Sequence, residues 1–249
     1  MKTNLCLIIL LICGLPAKAQ LYTGEVQNRP YTDLRPFHFG VLVGTHVQDL
    51  ELQNAGPQIV TAEDGTTSET LVTADQDRWD AGFSVGVLGE FRLSTHFQFR
   101  VAPTMYFGSR HITFHNMRQN DAEGKPIEQR QDLKTAYFAV PLDLIFAGPR
   151  VSNHRPYIMA GLNPMINLNP KDDDYLKLKQ YDVCAEVGAG FDFYLPYFKL
   201  RPELKFVYSL TNSYDDKHAG KLRDAAMLPY AKSVDKAHTK MVVLTFYFE

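Results

Sequence analysis

The sequence predicts an all-β fold, an eight-stranded antiparallel up-and-down transmembrane β-barrel with short periplasmic turns and long surface loops. Three observations predict it. Eight stretches alternate apolar with small or polar residues at a period of two, the signature of a strand with two unlike faces. The connections between these stretches are alternately long and short, as in barrels with surface loops at one end and tight turns at the other. The apolar faces are also too bulky to go inside, because a ring of eight strands encloses only enough room for side chains to fill and would be overfull with Phe at every apolar position.

The chain begins MKTNLCLIILLICGLPAKAQ. Lys2 gives a positive start, Leu5 to Leu15 an apolar run, and Ala17-Lys18-Ala19 a cleavage pattern, so residues 1–19 read as a secretory signal peptide. Leu10-Leu11-Ile12-Cys13 lacks the small residue expected before a lipidated cysteine. With Cys6 and Cys13 in the leader, Cys184 is the one cysteine of the mature chain. It excludes an intramolecular disulfide and reads as a small buried hydrophobe. Residues 20–36 (QLYTGEVQNRPYTDLRP) show no alternation and read as a periplasmic N-terminal segment. Two roles stay open for it: a plug folded into the barrel mouth, or a docking element for partners. Residues 37–249 form the barrel domain.

The first strand, around 37–48, sets Phe37, Phe39, Val41, Val43 and Val47 against His38, Gly40, Gly44, His46 and Gln48. The next six, around 79–91, 97–107, 136–146, 157–168, 183–193 and 200–208, repeat the pattern. The last, KMVVLTFYFE, has two partly apolar faces, and Val242, Leu244, Phe246 and Phe248 form the more lipid-like one. Long connections are expected at about 48–78, 112–133 and 211–238. The first has its tip near residues 63–68, a fifth, medium one is marked by 171–174, and the last holds a short helix near 221–227. The turns at 92–96 and 194–199 are short.

The apolar lists of the first seven strands contain no charge. The other lists contain Asp80, Glu90, Arg100, Asp143, Glu186, Asp192, Arg201, Glu203 and Lys205, with many Gly, Ala and Ser. The apolar face therefore meets lipid. With the N-terminus periplasmic, Phe37, Phe91, Phe97, Phe146, Phe193 and Phe248 fall at one membrane interface. Trp79, Phe107 and Tyr208 fall at the other, giving the two aromatic belts of a membrane barrel. A soluble barrel or sandwich is the competing fold. Pro103, Pro141, Pro164 and Pro202 lie inside strands, where a missing N–H demands a bulge or a non-bonding position.

Inward charges of both signs must be paired. Arg100, Glu186, Arg201 and Glu203 are expected to bridge the lumen as a structural polar network. Catalytic, cofactor and metal sites are not expected. His111 and His115 lie four apart but bring no third ligand, and His38 and His46 are too far apart along a strand to share one. Asp215, Asp216, His218 and His238 sit near one loop base, where a barrel enzyme would place its chemistry, yet nothing supplies a nucleophile elbow. There is no phosphate loop or dinucleotide fingerprint. A net charge of −2 gives no footprint for nucleic acid.

Three blocks, RPYTDLRPFHFGVLVGTHVQDLEL, AYFAVPLDLIFAGPRVSNHRPYIMAGLNP and LRPELKFVYSL, together with the closing VVLTFYFE, resemble the PorT/SprT family of Bacteroidota outer-membrane barrels. The resemblance spans the mature chain. It implies a non-enzymatic part in type IX secretion, which exports proteins with C-terminal signals, and in gliding members a part in motility. It implies outer-membrane lipid and other secretion proteins as partners, and it assigns no catalytic residue. The alternatives are a barrel enzyme or ligand-binding barrel with its site at the extracellular loop bases, and a soluble periplasmic carrier.

Overall fold

A computed structural model describes residues 26–61, 67–120, 124, 126–169, 175–215 and 227–249. The leader, the tip at 63–66, the marker at 171–174 and residues 221–226 of the expected helix lie outside them.

Among the described residues eight strand positions close into an antiparallel ring. In ring order they are β1 (Phe37–Asn54), β5 (Asp80–Arg92), the pair β6 (Phe97–Val101) and β7 (Thr104–Asn120), the pair β8 (Pro126–Ala139) and β9 (Leu142–Ala147), β10 (His154–Asn167), β11 (Tyr181–Tyr194), β12 (Lys199–Ser209) and β13 (Val234–Phe248). β13 pairs with β1, Val43 opposite Phe246, which closes the ring and leaves no open edge.

Two ring positions are written as pairs because proline interrupts them. Proline has no N–H to give to the ladder. Gly89 opposes Val101 before the break at Pro103, and Gly86 opposes Thr104 after it, three residues on in both strands. No residue has been inserted, so this is a missing bond and not a bulge. The proline carbonyls still accept: Val87 N–H donates to Pro103, Ala102 N–H to Pro141 and Val140 N–H to Pro164. The carbonyl of Ala102, left without its ladder donor, accepts the Thr104 hydroxyl at 2.6 Å.

The apolar lists face outward, as the alternation predicts. Phe39 is 73% exposed and Phe83 57%, while Leu42, Ser84 and Leu88 on the opposite faces are buried. The last strand follows the expected phase, with Leu244 and Phe248 outside and Met241, Val243, Thr245 and Tyr247 buried. Ten residue steps from Phe37 to Val47 measure about 33 Å along a strand. A tilt of about 40° brings this to about 25 Å, the height of the apolar band of an outer-membrane barrel. Phe37 packs on Phe91 with ring centroids 4.9 Å apart and Phe97 on Phe146 at 5.3 Å, at the end where the short turns lie.

At the opposite end the sequence reading falls short. Residues 112–133 are not a long loop: β7 runs to Asn120 and β8 starts at Pro126, a tall hairpin paired from Thr104↔Ala139 up to Asn116↔Ile127. The connection after β1 also carries strands, a hairpin of β2 (Gln58–Thr61) and β3 (Thr67–Thr70), then β4 (Val72–Asp75) laid against β7. Above the lipid band the outward faces become polar, with Glu51 and Lys240 paired at 2.9 Å, so the apolar signature of a strand disappears while the strand continues. Inward, Leu50, Ile112, Phe114, Leu176, Leu178 and Tyr214 pack into an apolar cap across this end. The helical turn α1 (Leu228–Ala231) lies beside it, and the Tyr214 hydroxyl donates to Ala231 O at 2.5 Å.

Lysine at Val85 or Phe138, near the middle of the lipid-facing band, should destabilise the barrel by about 2–4 kcal/mol. The folded, heat-modifiable band on a cold gel should fall in both variants. Assembly equal to the unsubstituted protein would reverse the assignment of faces.

Candidate functional site

The lumen between the short turns and the apolar cap is filled by charge. Glu90, Arg100, Asp143, Glu186, Asp192, Arg201, Glu203 and Lys205 are all 3% exposed or less. Each occupies an inward position of a strand whose outward neighbours are apolar, so each was legible from the alternation alone. Room for them comes from glycine. A side chain at Gly161 would collide with Asp143, and one at Gly190 with Tyr157. Nearer the cap, Gly82 makes space for His46 and Gly108 for Gln48.

Arg100 on β6 and Glu203 on β12 come from opposite sides of the ring. The Arg100 Nη2 donates to Glu203 Oε2 at 2.7 Å and to Asp143 Oδ2 at 2.9 Å, and its Nε donates to the same Asp143 oxygen at 3.0 Å. The Tyr157 and Tyr247 hydroxyls each donate to Glu203 at 2.9 Å. Arg100 also lies over the Tyr247 ring, 4.4 Å from its centroid.

One level toward the short turns, Arg201 is gripped by Glu90 and Asp192, and Glu249 Oε1 lies 3.3 Å from its Nη1. Lys199 pairs with the other oxygen of Glu249 at 2.5 Å. The two levels meet at Tyr157, whose ring lies 4.9 Å from the Arg201 guanidinium while its hydroxyl holds Glu203. One level toward the cap, Lys205 pairs with Glu186 at 3.0 Å, and the Asn163 amide donates to Glu186 at 2.9 Å.

The four residues expected to form one bridge are therefore distributed over three levels. Arg100 and Glu203 bond directly, Arg201 joins them through Tyr157, and Glu186 belongs to Lys205. The reading missed Lys199, Glu249, Tyr157 and Tyr247. Glu249 looks out of place after an apolar strand, but its inward phase is the signal: its side chain is 3% exposed, inside the mouth. Tyr157 and Tyr247 sit at inward positions among polar residues, and inward phase again marks them.

The mouth at the short-turn end is crossed by residues 26–36, which include a 3-10 turn at Thr32–Leu34. The Asn28 side chain donates to Tyr194 O at 3.0 Å, and its backbone N–H to Asn153 Oδ1 at 2.9 Å. The Tyr194 hydroxyl donates to Asp33 at 2.7 Å, and Arg29 donates to Glu249 O at 2.9 Å. On the far side of the ring, Arg92 donates to Leu34 O at 3.1 Å. Of the two roles left open, the described part of this segment has the geometry of a strap over the mouth.

The other candidates separate. His111 Nδ1 lies 2.7 Å from Asp80 Oδ2, and His115 Nδ1 lies 3.5 Å from Glu128, so each histidine has its own carboxylate. His46 is buried against the Tyr106 ring, and His38 lies 3.6 Å from Glu249. His238 stacks on Tyr208 with centroids 5.8 Å apart, its Nδ1 3.3 Å from Ser209 O. The Asp215 N–H donates to Lys177 O. Asp216 and His218 lie outside the described residues. Among the described residues no group of three or more His, Cys, Asp or Glu side chains is placed to hold a metal ion. Cys184 is buried beside Met165, Sγ to Sδ 4.0 Å.

Arg201→Met should leave Glu90 and Asp192 buried without their cation, a loss of about 3–5 kcal/mol. Urea unfolding of the refolded barrel, followed through its single tryptophan, Trp79, should show the midpoint lowered accordingly. An unchanged midpoint would mean that the carboxylates have other support.

Residues 19–215 match the family model described as outer membrane protein beta-barrel domain. Among solved structures, the chain is similar to the outer membrane protein OprG from Pseudomonas aeruginosa, at 13% identity over 84% of this chain and 93% of that one, with a TM-score of 0.46. It is similar to Neisserial surface protein A (NspA) at 12% identity over 86% and 98%, TM-score 0.41. It is also similar to Ail, the attachment invasion locus protein of Yersinia pestis, solved with the heparin analogue sucrose octasulfate, at 11% identity over 86% and 99%, TM-score 0.37. No curated protein matches the chain in sequence.

Proposed function

From a chain that belongs to the outer membrane protein beta-barrel domain family, we propose a non-enzymatic component or accessory of type IX protein secretion, and in a gliding bacterium of motility. It lies in the outer membrane, with its N-terminus and short turns on the periplasmic side. The observation that carries the non-conducting half of this reading is the lumen. Arg100, paired with Asp143 on the neighbouring strand, reaches Glu203 on the opposite wall with side chains that solvent does not reach, the strap crosses one end and the apolar cap fills the other. Eight strands leave no aqueous channel to begin with. A sealed barrel acts through what it presents at its surfaces, and that suits a part in a larger machine. The secretion half rests on the resemblance of the three sequence blocks to the PorT/SprT family, whose members are needed for export.

Deleting the gene in its own bacterium and comparing the secreted proteome with the parent tests this directly. Proteins with C-terminal export signals should vanish from the medium and accumulate in the periplasm. An unchanged secretome would overturn the secretion role. A barrel enzyme working at the loop bases is separated by Asp215→Ala and His238→Ala, which should leave export at the parental level. Export abolished in either variant, with the barrel still heat-modifiable, would favour the enzyme.

A further inference from the structure

The two ends of the barrel treat charge differently. At the capped end, surface cations face exposed anions: Arg118 pairs with Glu69 at 2.7 Å and the half-buried Lys240 with Glu51 at 2.9 Å. At the short-turn end, arginines bind main-chain carbonyls instead. Arg92 donates to Leu34 O, Arg150 to the carbonyls of Asn28, Arg29 and Ser152, and Arg155 to those of Gly148 and Thr95. A carbonyl satisfies an N–H but leaves the positive charge standing. Among the described residues, Asp33 lies 3.8 Å from Arg150 and 3.7 Å from Arg155, while Glu90, Asp192 and the Glu249 side chain are buried against Arg201 and Lys199 inside the mouth. Arg35 adds a further exposed cation.

The same end is apolar where it need not be. Tyr197 in the β11–β12 turn is 93% exposed and Tyr31 on the strap 75%, and Val26, Leu34, Leu93 and Val151 are exposed with them. Apolar side chains clustered beside arginines that outnumber the carboxylates around them mark an interaction surface. Lipid accounts for the rim alone. Tyr31 and Leu34 ride on the strap that crosses the mouth from Asn153 and Tyr194 to Arg92, and headgroups that ring a barrel do not cover its axis.

We propose that the short-turn end, centred on the strap, docks an acidic protein segment that also carries apolar side chains. Arginine supplies the charge complementarity that steers such a partner and fixes its register, and Tyr31, Leu34 and Tyr197 supply apolar contact. The identification of the partner as a secretion protein rests on the function proposed above; the charge and apolarity of the face do not.

The test uses the full chain in its own outer membrane. The photoreactive residue p-benzoylphenylalanine is placed at Tyr31, at Tyr197 and, as a lipid-facing control, at Phe206. Illumination should give one protein adduct of the same mass at positions 31 and 197 and none at 206. The segment of that protein found at the crosslink should be acidic. As a synthetic peptide it should bind the barrel in phosphatidylethanolamine nanodiscs and lose at least about tenfold in affinity at 0.5 M salt, where exposed charges are screened. Arg35→Glu with Arg92→Glu should weaken binding by a similar factor. Arg35→Glu alone, at an exposed site, serves if the double variant assembles poorly. Adducts with phospholipid only, no adduct, or peptide binding indifferent to both salt and charge reversal would overturn the docking face. A charge-sensitive adduct in a protein whose deletion leaves export intact would overturn the secretion role and keep the docking face.

Discussion

Everything in this barrel follows from where a charged side chain can be put. A strand that crosses a bilayer gives its outward face to lipid, where a charge near the midplane costs about 2–4 kcal/mol. The inward face of an eight-stranded ring is narrow and dry. Charges placed there need a counter-charge or, like Arg110 against Gln48 and Thr239, hydrogen bonds from neutral groups. Arg100, bonded at once to Asp143 and Glu203, meets that condition across the full width of the ring. Arg201 and Lys205 repeat it one level to either side. Small residues are then required opposite the large ones, and Gly161 beside Asp143 and Gly190 beside Tyr157 are the result.

Closure of the interior shifts the chemistry to the ends. At one end the wall continues past the lipid band as paired polar strands and folds inward over an apolar cap containing Ile112, Phe114 and Leu176. At the other the chain crosses the mouth before entering β1. Its anchors are spread over the ring, with Asn28 on the β10–β11 side and Leu34 held from β5. A strap tied at both sides is a defined surface. Its exposed Tyr31 and the arginines beneath it belong to one face.

Where lipid sets the rule, the sequence is easily read. Phe39, Phe83, Phe138 and Phe206 declare their orientation by period alone, and the inward phase of Glu90, Asp143 and Asp192 follows without any contact being known. Pairing is less legible. Glu203 meets Arg100 from the opposite wall, and that distance in sequence has no local signature, so the expected single bridge becomes three levels. Strand ends are least legible. Beyond Phe107 both faces of β7 meet something other than lipid, outward water and inward the cap, and the alternation fades although pairing with β8 runs on to Asn116. The prolines illustrate the same limit: Pro103 is visible as a ladder defect, but only the register on its two sides shows that nothing is inserted.

The sealed lumen is tested most directly by recording the purified, refolded barrel in a planar bilayer at moderate salt and both polarities. An interior closed by the Arg100, Arg201 and Lys205 pairs gives a flat baseline, without resolved unitary steps. Arg100→Ala combined with Glu203→Ala, which removes the tie between opposite walls, should introduce brief, small openings. Stable unitary currents of porin size from the unsubstituted protein would contradict the closed barrel.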